Sequence, residues 1–539
     1  MEKMKLNRES IGNKLVWKNY RLPTYNIEAV CEKTAKNPKW LHFGAGNIFR
    51  AFPAVLAQRL LTAGLADTGI IVCEGYDEEL IDRVYREHDN LSVAVTLHSD
   101  GHIRREVVGS VAESLKLGAD FARVRDIFCA PSLQMVTFTI TEKAYYLRDL
   151  QMQFRPEIKA DMKRAPHHAE TMMGRIAALC VERARSCEAP LALVSLDNCD
   201  NNGDRLRRCI LEFIAEWRAH NLITDEEATY VRTSITFPLT MIDKITPAPA
   251  ERIARILHTE DDLDQCMPFV TEKGSKAAIF VNTEGPQYLV IENAFPNGHP
   301  ALDQLGIIFT RRSIVEKVAA MKACTCLNPL DTAMGMFGCL LGYETIWEQM
   351  KDPHIPDVLV GISRESRRVD EDPGVIVPDE FLHEIMTVRY PNPNMPDTPQ
   401  RIATDTSQKL GIRYGVTLKR YYNSSVPMHR VSRLKFIPLA IAGWLRYLMG
   451  VDDNGNAMQL SPDPLMDSLQ KRLEGIPFGC TDFGEYALES ILSDQFIFGC
   501  NLYEVGAANT VTEIFRELNA GPGAVRKTLE KYAALAKNA

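Results

Sequence analysis

The stretch "KWLHFGAGNIFRAFPAVLAQRLLTAGLADTGIIVCEG", residues 39–75, decides the fold. An apolar run ends in glycines, a segment with helical spacing follows and closes at Gly64, and "TGIIVCEG" is the next buried run. That is strand, turn, helix, strand, the opening of an α/β unit. Gly44 and Gly46 fall directly after the first strand and at the mouth of the helix. A dinucleotide site needs that context: the first glycine makes the tight turn, the second lets backbone approach a pyrophosphate, and the helix N-terminus meets its charge. The loop runs through Gly44, Ala45, Gly46, Asn47 and Ile48, Phe49 stands where a third glycine would, and Arg50 follows. Taken alone, the motif reads equally well as a plain strand-to-helix turn. An acid at the end of the next strand should hold the ribose hydroxyls, and Glu74 or Asp77 in "IIVCEGYDEEL" fits loosely, about 30 residues on where about 20 is usual. Both acids also suit the positive end of a helix.

Working outward, "LQMVTFTITE", "LALVSLDN" and "TSITFPLTMI" are further β-rich runs, each ending in polar residues that a parallel sheet would present at its carboxyl edge. From about residue 313 the periods become mostly helical, in "SIVEKVAAMKAC", "DTAMGMFGCLLGYETIWEQM", "VSRLKFIPLAIAGWLRYLMG" and "AVRKTLEKYAALAKN". The Pro-, Asn- and Gly-rich piece at 296–300 marks the boundary, giving a first domain over 1–298 and a second over 299–539.

Composition narrows the function classes. With 539 residues, 45% hydrophobic and 24% charged, the chain is an ordinary globular one with material for more than one core. A net charge of −8 gives no cationic field for nucleic acid or anionic lipid. The charged N-terminus lacks an apolar leader and no run of about 18 apolar residues occurs, so a cytoplasmic protein without a membrane segment is expected. The 13 cysteines lack framework or metal-site spacing and read as buried thiols, Cys324 and Cys326 included.

Three stretches carry candidate chemistry. "SLDNCDNNGD" clusters Asp197, Asn198, Asn201 and Asn202 after a buried run, where turn chemistry beside Gly203 is the simpler reading. "FPLTMIDKITP" carries Asp243 and Lys244, which an ion pair would also explain. In "MKACTCLNPLDTAMGMFGCLLGY", residues 321–343, Asn328 is expected to cap a helix, with Pro329 at its first position and Asp331 at its third. A residue there can also touch a ligand. Lys322 lies on an apolar helical run, where a lysine either snorkels to the surface or is buried and serves as an acid or base.

These stretches, in this order, resemble the long-chain mannitol dehydrogenase family from about residue 38 to 520. "HFGAGNIFRAF" is similar to its G-x-G-x-F-x-R-A cofactor loop, "TITEKAYY" to T-x-T-E-x-G-Y, and "SLDNCDNNG" to S-C-D-N-x-x-x-N-G. "FPLTMIDKITP" is similar to F-P-x-x-M-V-D-R-I-x-P, "YLVIENAFPNGHP" to W-V-I-E-D-x-F-x-x-G-R-P, and "IAGWLRYLMGVDDNG" to A-x-W-x-R-Y-L-x-G-x-D-x-x-G. The family's catalytic block is K-x-x-x-x-N-x-x-H. Here it reads "KACTCLNPLD": Asn328 matches, Lys322 stands one residue further off, and Asp331 replaces histidine.

The resemblance implies an α/β chain with an N-terminal Rossmann-type NAD-binding domain and a mostly α-helical C-terminal domain, and a metal-independent oxidation of a secondary alcohol. Its cofactor residues would be Gly44 to Arg50, Glu74, Asp77, Thr141 and Glu142. Lys322 would supply a proton to the alkoxide, the amides of Asn198 and Asn328 would hold that oxygen, and Asp243 would orient the lysine or a substrate hydroxyl. A one-residue slip turns a helical side chain by about 100°, so a local adjustment before Asn328 is required if Lys322 is to serve. The expected partner is a small sugar acid or polyol, with D-fructuronate and D-mannonate the leading pair. A uronate needs cations, and Arg389, Lys409 and Arg413 are the candidates, with His429, Arg430 and Arg433 nearby in sequence. The alternatives are tagaturonate, a neutral ketose, or a silent nucleotide- or sugar-acid-binding protein.

Overall fold

The computed structural model describes residues 4–149, 151–395, 397–484 and 486–538. Residues up to His98 and from His102 to Glu316 form one compact unit, and those from Lys317 onward form the body of a second.

The first unit is built on six parallel strands: β1 (Trp40–Phe43), β2 (Ile70–Glu74), β3 (Val111–Lys116), β4 (Met135–Phe138), β5 (Leu191–Ser195) and β6 (Ile235–Thr236). Their order is β3-β2-β1-β4-β5-β6, the doubly wound arrangement whose switch point lies between β1 and β4. Strands β1, β2, β4 and β5 are buried throughout, as a parallel sheet covered on both faces requires. Two hydrophobic cores flank the sheet, one reaching Phe43, Phe138 and Trp217, the other Trp40, Phe49 and Tyr85.

Two local departures from the sequence reading have backbone causes. The helix expected after the glycine loop is two helices, α1 (Asn47–Ala51) and α2 (Pro53–Thr62), broken at Phe52 with φ −129° and ψ −74°. A residue before proline is pushed out of the helical region, and proline then starts the next helix well. "TSITFPLTMI" is likewise two strands. Ile235–Thr236 closes the parallel sheet, whereas Thr240–Asp243 pairs antiparallel with Tyr288–Glu292 in a separate sheet that Ile308–Thr310 completes. Pro238, which has no N–H for a ladder, lies between the two pieces.

In the second unit the main helices are α3 (Asn328–Leu340), α4 (Ile355–Arg367), α5 (Phe436–Leu448), α6 (Ala508–Leu518) and α7 (Ala524–Lys537). All 13 residues of α5 are buried, so it forms the axis against which α3, α4 and α6 pack. A Cβ on Gly443 would stand 2.7 Å from the Phe337 ring, so only glycine lets α5 and α3 approach this closely. Among the described residues no helix is long and apolar enough to cross a membrane.

Candidate active site

The glycine loop is set by three close contacts. Gly44 has φ +108°, and a Cβ there would lie 2.2 Å from the Thr139 carbonyl oxygen, so no other residue fits. Its N–H donates to Cys73 O at 2.9 Å, tying β1 to β2. The Ala45 N–H donates to Glu74 Oε2 at 2.6 Å, while Glu74 Oε1 accepts from the N–H groups of Gly75, Tyr76 and Asp77 at 3.0, 2.8 and 3.2 Å. Glu74 is therefore both the acid at the end of β2 and the clamp on the loop. Asp77 accepts from Thr271 Oγ1 at 2.7 Å and keeps its Oδ1 buried with no protein partner. Open space lies where a Gly46 Cβ would stand, and Gly46, Asn47 and Ile48 are half-buried. A vacant side at Gly46 and an orphaned acceptor on Asp77 fit a dinucleotide.

Phe49 and Arg50 work from behind. Phe49 stacks on His42 at 4.4 Å between ring centroids, and Tyr85, near the other side, donates its hydroxyl to Ala45 O at 2.7 Å. His42 is sealed between Thr137 and Thr139 hydroxyls at 2.6 and 2.8 Å, and burial lowers its pKa to about 3, so it stays neutral. The Arg50 guanidinium points inward, donating to Ala278 O and Asn47 Oδ1 at 2.6 and 2.9 Å.

At the carboxyl ends of β4 and β5, Asp197 accepts from the N–H groups of Ile140 and Thr141 at 3.2 and 2.8 Å and from the Tyr145 hydroxyl at 2.7 Å. Burial raises its pKa, although these bonds favour the charged form. Glu142 is exposed and paired with Arg205 at 2.7 Å. Asn198 is exposed, whereas Asn202 is buried and ties the end of β5 to the strand Thr240–Asp243 through Asp197 O and Thr240. The Asn/Asp cluster thus divides into a turn and a structural tie. Asp243 is buried at the end of its strand, and the Lys244 ammonium donates to Glu284 O at 2.6 Å.

In the second unit the block at residues 322–331 departs from the expected capping geometry. The N-cap of α3 is Leu327, with φ −125° and ψ −68°; Asn328 and Pro329 are the first and second helical residues, and no side chain caps the end. The amide of Asn328 is thereby left out of the helix start. Before it, Lys322–Cys326 form a π-turn closed by Leu327 N–H to Lys322 O at 3.3 Å. A π-turn holds one residue more than an α-turn and is often found at functional sites. That extra residue equals the one by which this block exceeds the family's pattern. Lys322 is 4% exposed.

Asp331 lies one turn into α3, where its Oδ1 accepts from the Tyr390 hydroxyl at 2.6 Å. Two of the candidate cations, Arg413 and Lys409, lie around it. Arg413, donating to Thr332 Oγ1 at 2.5 Å, acts electrostatically on Asp331, as does Arg401, which is held bidentately by Asp397 at 2.5 and 2.7 Å. Burial raises the Asp331 carboxyl and, with Asp331 beside it, raises the Tyr390 phenol well above its usual range; Arg389 and Arg413 oppose the latter shift. Burial first and Arg413 second bring the Lys409 ammonium down to about 8. Its ammonium donates to Thr404 O. His429 instead contacts Ser424. Sequence reasoning missed Tyr390 and Tyr145 as site-forming groups, and it placed Asp197 in a polar cluster without its hold on the turn after β4; only the polar ends of their segments hinted at them.

A family model described as the mannitol dehydrogenase Rossmann domain matches residues 38–304, and one described as the mannitol dehydrogenase C-terminal domain matches residues 315–520. The chain is 46% identical to the D-mannonate oxidoreductase of Thermotoga maritima over 536 residues, covering 98% of this chain and 99% of that one. It is 29% identical to a mannitol 2-dehydrogenase of Cereibacter sphaeroides, over 82% of this chain and 87% of that one. In fold it is similar to Pseudomonas fluorescens mannitol 2-dehydrogenase, solved with NAD and D-mannitol, with a TM-score of 0.75, 24% identity, and coverage of 98% of this chain and 100% of that one.

Proposed function

Because this chain belongs to the mannitol dehydrogenase family, we propose that it is an NAD-dependent oxidoreductase interconverting D-fructuronate and D-mannonate. NAD, when bound, supplies the hydride acceptor, and NADH the donor. The chain's own groups do the rest. The Gly44–Ile48 loop and the first turn of α1 hold the pyrophosphate, and Glu74 and Asp77 address the ribose. Lys322 supplies a proton to the alkoxide oxygen formed on ketone reduction and removes it in the reverse direction. The amides of Asn198 and Asn328 donate to that oxygen, and Asp243 orients the lysine or a substrate hydroxyl.

The observation that carries the substrate choice is the charge around Asp331. Arg413, Arg401 and Lys409 lie around Asp331, and Arg389 acts on Tyr390 beside it. Arg413 and Lys409 are the groups we assign to a substrate carboxylate. Asp331 does not donate as an imidazolium would; it steadies Tyr390 and part of the cationic cluster instead. The 46% identity to a D-mannonate oxidoreductase supports the same choice.

The test follows NADH consumption by purified protein against D-fructuronate, D-tagaturonate and D-fructose. Preference for D-fructuronate is expected. Equal turnover of fructose would refute the carboxylate reading, and NADH binding without any turnover would favour a silent binder.

A further inference from the structure

Thr141 has φ +69° and ψ 154°. Asp89, Asn201 and Asp405 also have positive φ, but with ψ between 33° and 41°, the left-handed helical region that Asn and Asp tolerate. Thr141 instead sits in a region reached essentially by glycine alone, and it is β-branched. Such a conformation persists only where its surroundings over-determine it, and those places cluster at ligand sites.

The constraint comes from one buried carboxylate. Asp197 takes the N–H of Thr141 on Oδ1 and that of Ile140 on Oδ2, and it is itself fixed by the Tyr145 hydroxyl, which also lies 2.9 Å from Ser195 Oγ. One residue earlier the turn is pinned from the other side: Thr139 N–H donates to Phe43 O at 2.9 Å, and its hydroxyl meets His42 Nε2 at 2.8 Å. The strained residue therefore leaves the sheet between β1 and β4, at the switch point where doubly wound sheets bind ligands, two residues after Thr139, whose carbonyl packs on Gly44.

We propose that Asp197 is a positioning residue for the dinucleotide site, holding Thr141 in a strained backbone conformation that shapes the crevice wall beside the glycine loop. This rests on the NAD-dependent reading above. A turn that merely ended a strand would relax to an ordinary conformation or carry glycine.

The experiment is a double-mutant cycle on the full chain, read as the dissociation constant of NADH by fluorescence titration, with thermal unfolding of each cofactor-free variant as a check on folding. Asp197→Asn keeps the size and loses the charge. It is expected to weaken NADH about tenfold in the wild-type background. Thr141→Gly, in which glycine adopts this conformation unaided, is the second background of the cycle, with its own NADH dissociation constant as the reference. Adding Asp197→Asn to Thr141→Gly should then change affinity by less than about threefold, the rescue that a general structural role of Asp197 would not give. An equal loss in both backgrounds, or no loss in either, overturns the proposal. If Asp197→Asn does not fold, Tyr145→Phe, which removes the donor fixing Asp197, takes its place in the same cycle. A wild-type protein that does not bind NADH would refute the cofactor reading itself, a result distinct from the cycle's failure.

Discussion

Buried carboxylates serve both units, but their partners differ in kind. In the first unit Glu74 accepts four backbone N–H groups, and Asp197 two, together with a tyrosine hydroxyl. In the second unit Asp331 accepts from Tyr390 and faces Arg413, Arg401 and Lys409. Backbone donors neither titrate nor mutate, so carboxylates bound to them fix the course of the chain. Side-chain partners carry charge that pH and substitution can change. The first arrangement suits a cofactor of constant shape, the second a choice among substrates.

The comparison breaks most visibly at the lysine. Lys322→Ala is expected to lower kcat about 10²–10⁴-fold, the usual worth of a positioned acid or base, with the NADH dissociation constant unchanged. Steady-state kinetics beside a binding titration checks this, and a loss below fivefold would remove the proton-transfer role. Next comes Arg413→Met, which deletes charged donors of about 1.5–3 kcal/mol. It should raise KM for D-fructuronate about 30-fold while leaving residual turnover of D-fructose unchanged; a parallel fall on both substrates would assign Arg413 to the fold.

Glu74→Ala probes the other kind of carboxylate. Releasing the Ala45 N–H and the turn after β2 should weaken NADH about tenfold without altering KM for the uronate, measured at saturating cofactor. Smallest is a pH effect. The Lys409 ammonium is depressed to about 8, so KM for the uronate should climb above pH 8 by at most about tenfold per unit as that charge is lost. Lys409→Arg should flatten the rise. Folding stability has the opposite sign: the fold disfavours this ammonium, so Lys409's contribution improves as pH climbs from about 8 toward the usual lysine value. An unchanged KM between pH 7 and 9.5 would take Lys409 out of the carboxylate seat.

Much of the first unit was legible because its signals are local. β1, β2, β4 and β5 are unbroken apolar runs, and Gly44 is required by one contact whose partner, Thr139, lies at the end of an equally legible strand. The break at Phe52 and the split around Pro238 were foreseeable from proline but not read as such. The block at residues 322–331 was legible in composition and misjudged in geometry. Asn, Pro and Asp favour a capped helix start, yet the π-turn moved the cap to Leu327.

The sequence alone determined the strand-turn-helix opening, the change to helical periods near residue 313, and the residue types at the site, because periodicity and turn chemistry depend on neighbours along the chain. Tertiary structure decided what those types do. Only packing brings Tyr390 to Asp331 across 59 residues and Thr141 to Asp197 across 56. Only the backbone's hydrogen bonding in three dimensions makes Lys322–Cys326 a π-turn. A side chain's chemistry depends on its charge neighbours and its burial, and both are properties of the fold.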